Sequence, residues 1–492
     1  MEYLKVNLWG NEIGRLVYEP NTRRTYFVFN LDAAVPDIAP LLASVSKINR
    51  VLPIYGDDRP LYQGLPPFIA DSLPDAWGNT LFDKWIKDNR VPRGKVTPLY
   101  KLMFIGRRGM GALEYEPAVA SLGKLQGVDV KALYDLSLNI LDNRDGIKLG
   151  ADEDLTMRAL LSVGTSAGGR QMKAILAINN ETGEIRSGQI DGLVGYDYCI
   201  LKFGDRVMPI AEIEQAYYEM AIDAGLDMEP SRLLRVEGVN HFLTRRFDRK
   251  PEKVHIQTLA AVDPDARSYE DLFTVCRELS IPESEINQLY VRLVFNVMAN
   301  NTDDHNKNFS FMLSEGGRWQ LAPAYDMTFI FNTGGTGPNR DHRLSVCGKT
   351  SDISMVDLLD FARNNDIKGA RATVDRVASV IARFNGYAER SGIAQPWRGI
   401  IQKALAATLA DFGYGSSTEG QGEFIDDLGR TIFDFRISSN AKGHFEISAI
   451  IDGKRRRRFV RPSMPIYQEL KRVDISNPPL EVKQRLIKEL LH

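Results

Sequence analysis

The sequence contains few of the residues that build disulfides or structural zinc sites. Its three cysteines, Cys199, Cys276 and Cys347, lie far apart among 492 residues and form no C-x-x-C pair. The six histidines form no H-x-x-x-H pair. A disulfide framework and a structural zinc site are therefore not expected, and the thiols are typical of a reduced protein of the cytosol.

Long apolar runs and an excess of one charge are also absent. No apolar run is long enough to span a membrane, and the polar, alternating N-terminus is unlike a signal peptide. We therefore expect a cytoplasmic protein without membrane contact. The formal net charge is −2, so a contact with nucleic acid would need a local basic patch. A hydrophobic content of 43% in 492 residues predicts a globular chain of several domains.

Both ends of the chain are expected to contain β-structure. Alternating apolar residues from residue 1 to about 30 predict a β-meander with turns at Gly10 and Asn21. A Gly/Ser-rich linker at 413–422 precedes further strand-like segments and the basic run from Lys454 to Arg458. This run suits contact with a nucleic-acid backbone or an acidic partner, and it also suits a charged hairpin edge that prevents aggregation.

The stretch from Ile286 to Asp326 holds the most informative pattern. Apolar residues at helical spacing predict a helix up to Met298, and the alternation after the next loop predicts a β-hairpin. In that loop Asp303 and Asn308 have the D-x-x-x-x-N spacing of a protein-kinase catalytic loop, and Asp326 stands where a metal-binding aspartate follows. Mg²⁺ prefers such oxygen ligands beside substrate phosphates. The spacing by itself is also compatible with a solvated turn.

Upstream segments supply the other parts that phosphoryl transfer needs. Lys202 lies in a short buried strand, and the next predicted helix offers Glu214 as the first candidate partner and Glu219 as the second. Before this strand, glycines and hydroxyl residues form a loop whose backbone amides can approach phosphates closely. Its candidate phosphate-binding residues are Gly164, Ser166, Gly168 and Gly169. A flexible turn and a solvated acidic helix face are the purely structural explanations of these two segments.

The order of these segments favours a kinase. A Gly/Ser loop, a strand lysine, a helix glutamate, a D-x-x-x-x-N loop and a later aspartate follow one another as phosphoryl transfer requires. That reaction depends mainly on positioning and charge neutralisation. Two alternatives stay open. The same fold could bind a partner without transferring phosphate, or Asp303, Asp304 and His305 could form a metal-dependent phosphohydrolase site.

Several segments resemble the HipA family of serine/threonine kinases, the toxin half of bacterial toxin–antitoxin modules. The most specific is ThrAspAspHisAsnLysAsnPheSer at 302–310. The other matching segments are IleGlyArgArgGlyMetGlyAlaLeuGluTyr at 105–115, the loop from Ser166 to Lys173, IleLeuLysPhe at 200–203, ArgArgPheAspArg at 245–249 and LeuAlaProAlaTyrAspMet at 321–327. We therefore expect an α+β, bilobal protein-kinase-like fold with a β-rich N-terminal part and a mostly helical C-terminal lobe.

The expected domain boundaries follow the same division. Residues 1–148 would form a β-rich N-terminal subdomain, and residues 149–248 a kinase N-lobe with the phosphate loop and the strand lysine. Residues 249–412 would form a helical C-lobe with the catalytic loop. Residues 413–492 match no part of the family pattern and would form a C-terminal extension of unknown role.

The resemblance implies roles for individual residues in a reaction that uses ATP and Mg²⁺. Asp303 would accept or orient the substrate hydroxyl, and Lys307 would neutralise γ-phosphate charge. Asn308 and Asp326 would hold Mg²⁺. The residues implied to contact ATP are Lys202 with its partner Glu214, the loop residues Gly164, Ser166, Gly168 and Gly169, and, through nearby backbone groups at the adenine, Arg245 and Phe247.

Self-inactivation and partners are implied as well. In the family a phosphate-loop serine is autophosphorylated, and Ser166 matches its position, with Ser162 and Thr165 as alternatives. Phosphate there would place negative charge beside the phosphates of ATP. The implied partners are a protein substrate of the translation machinery, a HipB-like DNA-binding antitoxin, and operator DNA reached through that antitoxin. Asp304 replaces the family's usual small residue, so it could bind metal or face solvent.

Overall fold

The computed structural model describes residues 2–22, 24–36, 38, 52–119, 128–142, 160–161, 171–250, 252–414, 424–425, 430–439, 444–451, 454–472 and 479–491. The chain divides into two compact units. The first unit comprises Met1–Tyr218, Asp227–Ile286 and Asp304–Asp326. The second unit comprises Glu219–Leu226, Asn287–Asp303 and Met327–His492.

An antiparallel sheet begins the first unit. Its strands are β1 (Glu2–Leu8), β2 (Asn11–Glu19), β3 (Arg24–Phe29), β4 (Ile54–Tyr55) and β5 (Leu113–Glu116), in the order β4-β3-β2-β1-β5. Leu4, Val6 and Leu8 alternate along β1 and are buried, as the apolar pattern predicts. The predicted β-meander is confirmed, and the turn at Gly10 has a φ of 79°, a conformation that glycine adopts without steric cost.

A second sheet in the first unit shares its core with a group of helices. The helices of this core are α2 (Ala76–Asp88), α3 (Pro98–Ile105) and α4 (Val130–Asp142), with a 3₁₀ turn at Arg93–Lys95. The short helix α1 (Pro67–Ala70) packs instead against the first sheet, where the Phe68 ring lies 5.2 Å from the Phe27 ring of β3. The strands are β6 (Lys173–Asn179), β7 (Ile185–Ser187), β8 (Tyr196–Lys202), β9 (Ser231–Val236) and β10 (Val239–Arg245), in the order β7-β6-β8-β10-β9. Trp77 and Phe82 of α2 belong to the same buried cluster as Leu176 and Leu201 of the sheet. This packing fixes the start of α2 beside the start of β6.

The remaining elements of the first unit include the helix before the loop with Asp303 and Asn308 and the hairpin after it. The strands are β11 (Arg249–Lys250), β12 (Glu252–Lys253), β13 (His255–Thr258), β14 (Ser310–Leu313) and β15 (Trp319–Leu321). The helices are α5 (Ile210–Asp223), α6 (Leu259–Val262), α7 (Tyr269–Glu278) and α8 (Glu283–Met298), of which α5 and α8 extend into the second unit. Both the predicted helix up to Met298 and the following hairpin, β14 with β15, are confirmed.

The second unit contains a helical part followed by a small sheet. Its helices are α9 (Met355–Asn364), α10 (Ala370–Ile381), α11 (Phe384–Ser391), α12 (Trp397–Asp411), α13 (Pro465–Leu470) and α14 (Leu480–Leu491). Its strands are β16 (Phe424–Ile425), β17 (Thr431–Ser439), β18 (Phe445–Ile451) and β19 (Lys454–Val460), in the order β16-β17-β18-β19. The strands predicted after the linker are thus confirmed, and residues 415–422 of the linker lie outside the described residues.

The basic run forms most of β19, the last strand in this order. Lys454, Arg456 and Arg457 are exposed, whereas the Arg458 guanidinium lies 3.4 Å from the Glu489 carboxylate of α14. One of the five cations is therefore partly neutralised within the fold. The α+β class is confirmed, since sheets dominate the N-terminal part and helices the region from 355 to 411.

Within the described part of the chain, no helix combines the length and the apolar character needed to cross a membrane.

Candidate active site

A largely buried lysine at the end of β8, Lys202, contacts two carboxylates in the first unit. The Lys202 ammonium donates to Glu214 of α5 and to Asp326, which follows β15. The Lys202 side chain is only 12% exposed, Glu214 is 7% exposed and Asp326 is 32% exposed. Because burying an unpaired charge is costly, the two carboxylates stabilise the lysine in its charged form.

The charges of this cluster set the pKa values of its members. Burial would lower the pKa of Lys202, but the charges of Asp326 and Glu214 outweigh it and raise the pKa above its ordinary value. Burial raises the pKa of Glu214, and Lys202 offsets part of this effect. Burial would also raise the pKa of Asp326, but Lys202 outweighs it and holds the pKa below its ordinary value. Lys202 and Asp326 are therefore both ionised at neutral pH.

The backbone at Asp326 is held in an uncommon conformation. Its φ is 54°, in the left-handed region where aspartate and asparagine occur more often than other non-glycine residues. Such a conformation costs on the order of 1–3 kcal/mol and persists only where the surroundings enforce it. Two residues earlier, the Ala324 amide donates to the Asp227 carbonyl at 2.8 Å. This tether helps to aim the Asp326 carboxylate at Lys202.

The loop after Asp304 is tied to the segment that carries Asp326. The Asn308 amide donates to the His305 carbonyl at 2.8 Å, which closes a turn. The Tyr325 hydroxyl donates to the Lys307 carbonyl at 2.8 Å. Since Tyr325 precedes Asp326 directly, this hydrogen bond keeps Lys307 and Asn308 near the carboxylate.

The adjacent residues Asp303 and Asp304 have different environments. Asp303 belongs to the second unit, its side chain is 47% exposed, and the Arg343 guanidinium lies 3.7 Å from it. Asp304 belongs to the first unit and is 1% exposed, which excludes exposure to solvent, one of the two alternatives left open for it. Its carboxylate accepts a hydrogen bond of 2.8 Å from the buried Tyr269 hydroxyl. Asp304 therefore makes a buried structural contact. This contact argues against a phosphohydrolase site formed by Asp303, Asp304 and His305.

A metal site built from several acidic or sulfur ligands is not found in the part of the chain that the structure describes. No group of three or more His, Cys, Asp or Glu side chains lies close enough there to hold a metal ion. The predicted pair of an amide and a carboxylate, Asn308 and Asp326, is smaller than such a group. Mg²⁺ sites of this kind are completed by substrate phosphates and water.

Replacing Tyr269 by phenylalanine tests the structural role of Asp304. The change leaves the buried carboxylate without this donor, so the unfolding free energy should fall by about 1–3 kcal/mol. We expect no change in the Mg²⁺ dependence of nucleotide binding. Tyr290→Phe is the matched control, because the buried Tyr290 hydroxyl donates to the Leu358 carbonyl at 3.0 Å in the second unit. A shift in Mg²⁺ dependence in Tyr269→Phe alone would show that Asp304 serves the metal.

Of the two candidate glutamates, Glu214 is the one that contacts Lys202. Glu219 belongs to the second unit and lies 2.8 Å from the Arg390 guanidinium. On the expected adenine side, the Arg245 guanidinium donates to Glu229 at 2.8 Å and its amide to the Pro230 carbonyl. The Phe247 ring lies 5.6 Å from the Tyr325 ring. The adenine role of this segment stays a prediction.

The predicted phosphate loop falls outside the described residues. This applies to Ser162, Gly164, Thr165, Ser166, Gly168 and Gly169, which lie in the span 162–170. The strand that follows the loop is described from its first residue, Lys173. In the sequence Lys173 is named only as the last residue of the loop that starts at Ser166, although a lysine that opens an otherwise apolar strand is itself a signal of a buried charge.

Comparison with models of protein families shows the family to which this chain belongs. Residues 4–116 match the model described as the HipA N-terminal domain. Residues 165–388 match the model described as the HipA-like C-terminal domain. The chain belongs to the HipA family. Lys202, Glu214 and Asp326 all lie within the match to the HipA-like C-terminal domain.

Individual relatives agree with this assignment. The curated protein named "Putative kinase Y4dM" of Sinorhizobium fredii is 24% identical over 405 residues, which cover 77% of this chain and 90% of the relative. A second protein of that organism, "Putative kinase Y4mE", is 26% identical over 133 residues, 24% of this chain and 31% of the relative.

A solved structure shows the same fold. A chain from the Shewanella oneidensis complex of HipA, HipB and operator DNA superposes with a TM-score of 0.57 at 15% identity. The match covers 83% of this chain and 96% of that chain. The predicted kinase-like α+β fold is confirmed, and the protein is a HipA-family member of kinase-like fold.

Proposed function

We propose that this HipA-family protein is an ATP- and Mg²⁺-dependent serine/threonine protein kinase. The observation that carries the proposal is the contact of the largely buried Lys202 with both Glu214 and Asp326. Protein kinases combine a strand lysine, a glutamate of the next helix and a later metal-binding aspartate in this way. A purely structural lysine gains little from a second carboxylate, because each charge that is withdrawn from water adds a desolvation cost.

The described residues fit a magnesium nucleotide. Asp326 is ionised and partly exposed, and Lys202 contacts its Oδ1, so Oδ2 is the oxygen that a cation could reach. Asn308 lies on the loop that Tyr325 ties to this segment. These two residues would hold Mg²⁺, which supplies neutralisation of the charge on the transferred phosphate. Lys202 would contact the nucleotide phosphates while Glu214 keeps its ammonium in place.

Two loop residues would act on the substrate. Asp303 is half-exposed, which suits a carboxylate that must meet a hydroxyl of another protein, and it would accept or orient that hydroxyl proton. Lys307 would neutralise charge on the γ-phosphate. Both roles need only positioning and charge, which are the main contributions of a protein to phosphoryl transfer.

Regulation and partners complete the proposal. Autophosphorylation of Ser166 would place negative charge beside the nucleotide phosphates and switch the kinase off. The cytoplasmic partners would be a translation-machinery protein as substrate and a HipB-like antitoxin, with operator DNA bound through the antitoxin. The Shewanella oneidensis neighbour forms such a complex with HipB and operator DNA, which supports this part of the proposal.

Incubation with radiolabelled ATP and Mg²⁺ tests the activity and the modified residue together. We expect label on the wild-type protein, a loss of nearly all label in Ser166→Ala, and unchanged labelling in the control Ser162→Ala. Mass-spectrometric mapping should place the phosphate on Ser166. Nucleotide binding without any labelled protein would contradict the kinase proposal and indicate a binding module instead.

A further inference from the structure

A second buried lysine stands beside Lys202. Lys173 opens β6 and pairs directly with Lys202 of β8 in the antiparallel register. Directly opposed residues of an antiparallel pair project their side chains from the same face of the sheet. The Lys173 side chain is 3% exposed, and its ammonium lies 3.3 Å from the Asp75 carboxylate, which is 9% exposed. Both charges are therefore almost completely withdrawn from water.

The segment that supplies Asp75 holds Lys173 in two ways. Asp75 is the N-cap of α2, where its second carboxylate oxygen accepts from the Gly78 amide at 2.7 Å. Two residues later, the indole N–H of the buried Trp77 donates to the Lys173 carbonyl at 3.1 Å. The start of α2 thus fixes both the main chain and the side chain of Lys173, and its capping role leaves the Asp75 carboxylate little freedom to move.

The charge of Lys173 affects the cluster formed by Lys202, Glu214 and Asp326. Burial lowers the pKa of Lys173, while the nearby charges of Asp75 and Asp326 oppose that effect. The ammonium of Lys173 also contributes to the low pKa of Asp326. Asp326 is therefore influenced by both lysines, of which Lys173 contacts Asp75 and Lys202 contacts Glu214. Asp75, Lys173, Asp326, Lys202 and Glu214 thus belong to one charged cluster. Asp75 lies in the match to the N-terminal HipA domain, and the other four lie in the match to the C-terminal domain.

We propose that Asp75 is a positioning residue through which the HipA N-terminal domain sets the affinity of the site for nucleotide phosphate. Asp75 holds the Lys173 ammonium at the start of β6, where Lys173 is a second cation for the phosphates beside Lys202. The same contact keeps Lys173 from pairing with Asp326, so the Asp326 carboxylate remains available to Mg²⁺. This inference rests on the proposed function, because it needs a phosphate group in the site.

The substitution Asp75→Asn tests the inference with little disturbance of the fold. Asparagine keeps the volume and the helix cap but removes the charge that holds Lys173. Lys173 would then pair with Asp326 or lose its proton, and both outcomes weaken binding of phosphate. We expect the Kd of Mg²⁺–ADP, measured by calorimetry, to rise about tenfold, and the KM for ATP to rise while kcat changes little.

Asp71→Asn is the matched control. Asp71 lies four residues earlier in the same segment and accepts from the Thr258 amide and hydroxyl at 2.7 and 2.8 Å, so it makes a comparable contact without touching a lysine. Its Kd for Mg²⁺–ADP should stay within about twofold of wild type. In the double variant Asp75→Asn with Lys173→Gln, the Kd should be no higher than in Lys173→Gln alone, because Asp75 acts through Lys173.

The outcomes separate this inference from the proposed function. If the wild type transfers phosphate and Asp75→Asn binds Mg²⁺–ADP like Asp71→Asn, Asp75 is only structural and the inference is wrong. Additive effects of the two substitutions in the double variant would also overturn it. If the wild type binds no nucleotide at all, the proposed function fails, and the inference fails with it.

Discussion

Asp326→Asn should lower autophosphorylation by about 10²–10³-fold, the loss that follows removal of one preorganised charged group from an active site. Asparagine has nearly the same shape and also tolerates the left-handed backbone that Asp326 adopts. Lys202 keeps Glu214 as a partner, so the buried lysine stays neutralised. The measurement is the initial rate of ³²P incorporation at saturating ATP and Mg²⁺, with the unfolding midpoint recorded in parallel.

Asp352→Asn is the control for this experiment. Asp352 is exposed, has a φ of 51° and is not a member of the cluster, so the same substitution is made in the same backbone conformation without changing the cluster. The control should keep the wild-type rate and stability. If the Asp326→Asn protein folds normally and still incorporates phosphate at the wild-type rate, Asp326 is not the residue that holds Mg²⁺.

Asp248→Ala should lower the unfolding free energy by about 3–5 kcal/mol, because it leaves a buried arginine without its counter-charge. The side chains of Arg246 and Asp248 are both 0% exposed. Two guanidinium nitrogens of Arg246 donate to the carboxylate at 2.7 and 2.6 Å, and the Gly111 amide donates to it at 2.8 Å. The contact with Gly111 joins the turn before β5 to the segment after β10, so its loss affects more than the ion pair.

The pH dependence of this loss follows from the pKa of Asp248. Burial would raise that pKa, but Arg246 outweighs the effect and holds it below the ordinary value of 3.8. A lowered pKa means that the pair stabilises the fold fully above the ordinary value and loses its contribution only as the pH falls below it. The difference in unfolding free energy between wild type and variant should therefore be constant from about pH 5 to pH 8.

Denaturant titration of Asp248→Ala beside Asp135→Ala checks this prediction. Asp135 lies 2.6 Å from the Lys131 ammonium on the surface of α4, and its side chain is 43% exposed. Exposed pairs of this kind contribute little, so the control should unfold at nearly the wild-type denaturant concentration. Equal losses of unfolding free energy in the two variants would show that the buried Arg246–Asp248 pair stabilises the fold no more than the exposed pair does.

Local patterns were sufficient to predict much of the fold. The helix that ends at Met298 follows from apolar residues at helical spacing, and the first strand of the meander follows from the alternation of Leu4, Val6 and Leu8. Both depend on neighbours within a few residues. The contact of Asp75 with Lys173 joins residues 98 positions apart, and that of Gly111 with Asp248 joins residues 137 positions apart. Such pairs form only when separate elements pack together, so no local pattern predicts them.

The sequence by itself determined the family, the α+β class and the charged groups of the proposed kinase site. Only the tertiary structure decided which of these groups meet. Glu214 and Glu219 lie on one helix, yet Glu214 contacts Lys202 and Glu219 contacts Arg390. Asp303 and Asp304 are neighbours, yet one is half-exposed and the other is buried against Tyr269. The reason is that backbone dihedral angles and the packing of distant elements set the direction of a side chain, and a list of residues contains neither.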